Sequence, residues 1–217
     1  MMRGNYTREL DEVSLRIQNM GTQIGEAVEK TRIALENVDA KAARELIDGD
    51  EVFDQMNLEI EQECLNMVVL QAPVAGDWRR LASIMRMVAD LERIADHCSD
   101  IAEYIIKLSQ GDKVKLPVNF DNMFRLVIKM LDATVKAFID LDTDAALKAA
   151  GKDDIQDDYF ETTVEELVSL MREDPAHISQ YVDYLMIAKY LERMSDHTTN
   201  LAEWIAYIAK GELSNVQ

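Results

Sequence analysis

Two stretches of this sequence place carboxylates where they could act together. LERIADHCSDIAE occupies positions 91–103, and LERMSDHTTNLAE occupies 191–203, one hundred residues further on. At about 100° per residue, Glu92, Asp96, Asp100 and Glu103 fall within roughly 80° of one another on a helix. Glu192, Asp196, Asn200 and Glu203 make the same stripe in the second copy. Upstream in each half a further acidic row shares one helical face: Asp50, Asp54 and Glu61, then Asp153, Asp157 and Glu161. Like charges at this spacing repel by ~0.2–0.5 kcal/mol per pair, and a second row on a neighbouring helix compounds the cost. A hard cation relieves it directly. Carboxylate oxygens suit Mg²⁺, Mn²⁺, Ca²⁺ or iron, and paired helices can present several ligands at once. The other reading is an acidic face turned to solvent, since among 41 acidic residues a single Glu-x-x-x-Asp is ordinary. Recurrence at matched positions on two helices of both halves brings the cation level with the solvated face, since duplication alone also carries harmless residues along. Such a site would lie off the core face, on the surface of a bundle.

Other chemistry is thinner. Arg93 and Arg193 lie beside the stripes and read as helix-surface ion pairs. His97 and His197 are rotated away from the acids, where interhelical hydrogen bonds suit them better than ligation, and His177 reads as structural at a helix start. A di-iron carboxylate enzyme would carry Glu-x-x-His motifs facing inward, and the sequence has none. Nor does it have a Gly-rich phosphate loop, a Gly-x-Ser-x-Gly, or a cysteine beside an activating base. No catalytic residue is assigned. Cys64 and Cys98 read as reduced thiols used as small apolar groups.

The elements that must position the acids are long helices. Apolar residues recur at three- and four-residue spacing from Val13 through Ile17, Met20 and Ile24 to Val28, which predicts a first helix over 6–36. Asp39 caps a second over 40–70, Pro73 and Gly76 make a turn, and Asp77 caps a third over 78–110, ended by Gly111. The linker GDKVKLPVN (111–119) precedes a second set: 120–140, then a helix capped near Asp142 running to 172, then one opened by Asp174-Pro175 and closed by Gly211. The halves align. Met20–Glu63 matches Met123–Glu166 at an offset of 103, and from Leu91 the offset is 100, with nine of 21 positions identical across 91–111 and 191–211. The expected fold is all-α: two tandem three-helix-bundle repeats, six long antiparallel helices, elongated and pseudo-two-fold. The first repeat is placed at 1–111, the linker at 112–119 and the second repeat at 120–217.

Composition agrees and narrows the partners. Of 217 residues 48% are apolar but only 6% aromatic, and 12 are Met, which suits packed helices. No apolar run approaches the ~18 residues of a membrane span, and the N-terminus lacks the apolar stretch of a signal peptide, so a soluble cytoplasmic protein is expected. A net charge of −18 repels phosphodiester backbones and anionic headgroups, arguing against nucleic acid and direct membrane insertion.

The two repeats, the LQAPVAGDWRR turn (70–80) and the twin LERxxDHxxxxAE phrases together resemble the PhoU family of bacterial phosphate-signalling proteins, over nearly the whole chain. The resemblance implies a cytoplasmic regulator of phosphate uptake and phosphate-starvation signalling. Such a protein links the ATPase subunit of a phosphate ABC transporter to a sensor histidine kinase and represses the phosphate regulon. It implies a homodimer, and metal ions such as iron, manganese, magnesium or zinc held by carboxylates. Carried over, the ligands would be Glu92, Asp96, Glu192 and Asp196, faced by Asp50, Asp54, Asp153 and Asp157. The chain departs from the family in two places. Ala95 and Ser195 precede the motif aspartates where glycine is common, and Asp100 becomes Asn200 in the second copy. The alternative function is a metal-dependent, hydrolase-type enzyme using the same carboxylates.

Overall fold

The computed structural model describes residues 2–211, the side chains of 2–5 aside. Met1 and residues 212–217, the outer ends of the two expected repeats, lie outside the described residues. The described elements are all helical: α1 (Met2–Asn37), α2 (Ala40–Asp48), α3 (Glu51–Gln71), α4 (Ala75–Leu108), α5 (Phe120–Asp140), α6 (Thr143–Ala150), α7 (Asp153–Glu173) and α8 (Ile178–Lys210), with a 3₁₀ turn at Pro175–His177. They form six rods, because α2–α3 and α6–α7 are each one rod interrupted near its start. Each repeat is a three-rod bundle. Equivalent rods then pair across the pseudo-two-fold: α4 packs along α8 as the most extensive contact in the molecule, and α1 along α5. At ~1.5 Å per residue, the 36 residues of α1 span about 54 Å, which makes the molecule long in the helix direction.

One continuous core runs through both repeats. Ile17, Met20, Ile24, Val28, Leu91, Ile94, Ile101, Ile105, Met123, Val127, Leu191, Met194, Leu201 and Ile205 all belong to it and are buried, so the seam predicted for the first helix is one of those that pack. Where α1 meets α5 the fit is close: a Cβ built on Gly21 would stand 2.7 Å from Val135 Cγ2. Glycine there lets the two backbones approach.

Several sequence expectations need correction. The rods expected over 40–70 and 143–172 break after Asp48 and Ala150. The apolar period continues through both breaks, but Gly49 and Gly151, poor helix formers, each close the preceding helix. At the first break the backbone stays right-handed while the hydrogen bonds tighten to i−3: Asp50 N–H donates to Ile47 O, and Phe53 N–H to Asp50 O. Asp77 is not a cap; α4 begins at Ala75 behind an extended Val74, which leaves Asp77 in the first turn. The turn before it is made by Ala72 in the left-handed region (φ 43°), and Gly76 lies inside α4. α4 also ends earlier than expected, at Leu108, with Gly111 N–H donating to Leu108 O.

Asp174-Pro175 opens only the 3₁₀ turn, without a side-chain cap bond, and α8 starts at Ile178; three other signals stand as read. Asp39 accepts from the N–H groups of Lys41 and Ala42, and Asp142 from that of Ala145. Gly211 ends α8 in the left-handed conformation (φ 77°). The linker runs against the second repeat. Lys115 Nζ reaches Glu166 at 3.1 Å, and Val118 N–H donates to the same carboxylate at 2.9 Å. In the first repeat the counterpart Glu63 is met by Arg16 at 3.0 Å instead.

Candidate metal centre

The breaks matter for the acids. By ending α2 and restarting the rod, Gly49 puts Asp50 at the N-cap position of α3 and Asp54 in its first turn. Gly151 does the same for Asp153 at the start of α7. The positive end of each new helix favours the carboxylates gathered there. Both α3 and α7 pack on the long helix that bears their repeat's phrase, α4 and α8 respectively.

In the first repeat Asp54, Glu92 and Asp96 each offer an oxygen within 4.8 Å of the others. Among the described residues no other three acidic, cysteine or histidine ligands gather so closely. Asp50 stands beside them: burial, then the charges of Asp96 and Asp54, push its carboxyl above the usual carboxylate range. Burial and Asp96 raise Glu92 in the same way. Arg93 is the local counter-charge, 2.7 Å from Asp96 and 3.5 Å from Glu92.

The second repeat is looser. Asp153, Asp157, Glu192 and Asp196 feel one another's charge without three of them closing to the same distance. Partial burial first, then Glu192 and Asp153, push Asp196 up to about 6. Burial likewise raises Asp153 and Asp157, with Glu192 adding to each. One oxygen of Asp153 is buried with no hydrogen-bond partner. The counter-charge is Lys189, whose Nζ lies 2.6 Å from Glu192, so the two repeats solve the same repulsion with different residues.

The donors fit a hard cation. All are carboxylate oxygens, several are held against their preference for separation, and one buried oxygen has no partner. The sites are half-buried rather than on the open surface, because α3 and α7 lean over Glu92 and Glu192, whose side chains are only 16% and 15% exposed.

The lower half of each stripe goes elsewhere. Asp100 accepts from His97 Nδ1 at 3.0 Å, and Asn200 donates to Asp90 at 3.2 Å. His197 reaches the same Asp90 across the α4–α8 seam, an interhelical bond, while the ring of His97 packs 5.7 Å from that of His197 and 5.2 Å from that of Tyr190. Glu61 and Glu161 share a helical face with the clustered acids but stay outside the close set. Sequence reading missed Lys189 and Asp90. Lys189 stands three residues before Glu192, a legible i,i+3 pair; Asp90 stands just outside the repeated phrase, where Tyr190 is its counterpart.

A family model described as the PhoU domain matches this chain twice, over residues 17–105 and 120–205. The chain belongs to the PhoU family. It is 34% identical over 206 residues to the phosphate-specific transport system accessory protein PhoU homolog of Aquifex aeolicus, covering 95% of this chain and 93% of that one. The crystal structure of PhoU from Pseudomonas aeruginosa superposes with a TM-score of 0.91 at 32% identity, over 95% of this chain and all of that one. The phosphate transport system regulatory protein PhoU from Streptococcus pneumoniae gives 0.90 at 30% identity, over 97% of this chain and 100% of that one. The family fold is thus the fold of this chain, with both repeats present. Among the described residues no helix is long and apolar enough to cross a membrane.

Proposed function

We propose that this protein is a cytoplasmic regulator of phosphate uptake. In this reading it acts as an adaptor between the ATPase subunit of a phosphate ABC transporter and a sensor histidine kinase, and it holds the phosphate regulon repressed when phosphate is sufficient. The observation that carries the reading is the match along nearly the whole chain, at 34% identity, to a protein described as an accessory of the phosphate-specific transport system. The relatives are described as accessory or regulatory proteins, which supports a regulator rather than an enzyme. The repeats are assigned to 1–111 and 120–217, joined by 112–119, and the working form to a homodimer.

Metal binding belongs to the same proposal. Glu92 and Asp96, faced by Asp50 and Asp54, would hold one centre, and Glu192 and Asp196, faced by Asp153 and Asp157, the other. A bound hard cation supplies positive charge between two acidic rows and so ties α3 to α4 and α7 to α8. The residues themselves keep the cluster from flying apart through Arg93 and Lys189.

Deletion of the gene tests the regulatory reading. Transcripts for phosphate uptake rise in phosphate-rich medium if the protein represses them; unchanged transcripts overturn it.

A further inference from the structure

A cavity of about 440 Å³ opens between α1, α2 and α4, in the first repeat. Its floor is Ala27, Ala34, Ala95 and Cys98, all buried, and Phe53 forms one wall. Burial pushes the Cys98 thiol up to about 12, so that part of the floor stays uncharged. The volume falls within the ~300–1,000 Å³ range of small-molecule sites, and the lining has their usual makeup, apolar with a few polar groups.

The internal duplication shows that this space is not required by the fold. At the offset of 103, Ala27 corresponds to Met130 and Gln23 to Leu126. Met130 is fully buried, and Ser195, the counterpart of Ala95, donates to its sulfur at 3.3 Å. The second repeat therefore fills with a methionine what the first leaves open. Packed interiors seldom keep a void that a flexible side chain could occupy.

The charge at the mouth is inverted between the repeats as well. Glu26 and Glu45 line the opening in the first repeat, and their counterparts in the second are Lys129 and Lys148. Asp39, which caps α2, and Asp50 also line the cavity; Lys30 is the one cation among the described lining residues, and Lys41 reaches Glu45 from outside it at 3.6 Å. An apolar floor with an aromatic wall and an acidic mouth selects a cation carried on an apolar body.

We propose that this cavity binds a small amphipathic organic cation, its apolar body on the alanine and Phe53 surface and its ammonium or guanidinium group among Glu26, Glu45 and Asp50. Asp50 is shared with the proposed metal centre, whereas Glu26 and Glu45 are not among its ligands, so binding is read on chelator-treated, metal-free protein.

A matched triad of probes tests it on the full chain by ligand-observed NMR: 2-phenylethylammonium, 2-phenylethanol and 3-phenylpropanoate. The ammonium probe should bind best and the carboxylate worst. Ala27→Met, which installs the residue of the second repeat, should weaken the ammonium probe by at least about tenfold while melting no lower than wild type. The surface variant Glu26→Lys/Glu45→Lys, which leaves the floor intact, should abolish the preference for the cation. No binding of the ammonium probe at about 10 mM, equal binding by Ala27→Met, or an unchanged preference in the double-lysine variant overturns the proposal.

Discussion

His197 of α8 donates through Nδ1 to Asp90 of α4 at 2.9 Å, joining the two repeats across the line where their longest contact runs. Asn200 adds a second donor to the same oxygen at 3.2 Å, and both carboxylate and imidazole are largely shielded, 15% and 24% exposed. Asp90→Ala leaves two donors in the seam without their acceptor. It should lower unfolding free energy by about 1–3 kcal/mol, read by urea denaturation. A double-mutant cycle with His197→Gln should show coupling; strict additivity of the two changes would mean that the bond contributes nothing.

The carboxylate clusters make a prediction with two signs. In Glu92→Gln/Asp96→Asn/Glu192→Gln/Asp196→Asn, elemental analysis should find the metal of the wild type gone. The metal-free variant should melt above the metal-free wild type, because each repelling i,i+4 pair costs ~0.2–0.5 kcal/mol. Equal metal content in the two proteins would remove the clusters as its site.

Proton release follows from Asp196. Its carboxyl is pushed up to about 6 from an ordinary 3.8, so near pH 5.5 the metal-free protein holds a proton there that a cation must displace. Metal affinity should fall as pH drops through about 6, with proton release on binding measurable by calorimetry in buffers of different ionisation enthalpy. The stability of the metal-free protein has the opposite trend. The folded state binds the proton more tightly than the unfolded chain, so between about 6 and 3.8 this group adds stability as pH falls, and above about 6 that contribution is gone. Asp196→Asn should flatten both profiles.

The α1–α5 contact offers a packing test. Gly21→Ala brings a helix-propensity gain of ~1 kcal/mol but places a methyl 2.7 Å from Val135 Cγ2. Overpacking typically costs ~1–3 kcal/mol, so the net change should be destabilising. In a Val135→Ala background the clash is relieved, and Gly21→Ala should become neutral or stabilising by urea denaturation.

Much of this was legible because helices are periodic. The predicted span 120–140 is that of α5, and 6–36 differs from α1 by a few residues at the start. The seam residues Leu91, Ile94, Ile101 and Ile105 pack as their spacing requires. Asp39 and Asp142 could be read because a cap is a local event, decided by one side chain and the next three amides. The breaks at Gly49 and Gly151 escaped because the apolar period gives no sign of them; at Gly49 the chain stays right-handed and only the hydrogen-bond step changes. The acids of each helix could be put on one face from spacing alone. That Asp54 closes on Glu92 and Asp96 while Asp157 stays looser could not, since it depends on how far one helix leans over another. Asp90 was hidden for a different reason: its partner His197 is 107 residues away, and its own counterpart, Tyr190, is chemically unlike it.

The pairing of α4 with α8 and of α1 with α5 makes each repeat the other's subunit, tethered by the eleven residues between α4 and α5 (109–119). Two separate, identical chains meeting across an axis must use one sequence for both sides of it, so any change is made twice. Fusion lifts that constraint. Here Arg93 answers the acids on one side and Lys189 on the other, and Ala27 leaves hollow what Met130 makes solid. A duplicated gene that keeps its symmetric skeleton has thereby acquired two faces free to diverge, one able to specialise in recognition while the other secures the fold.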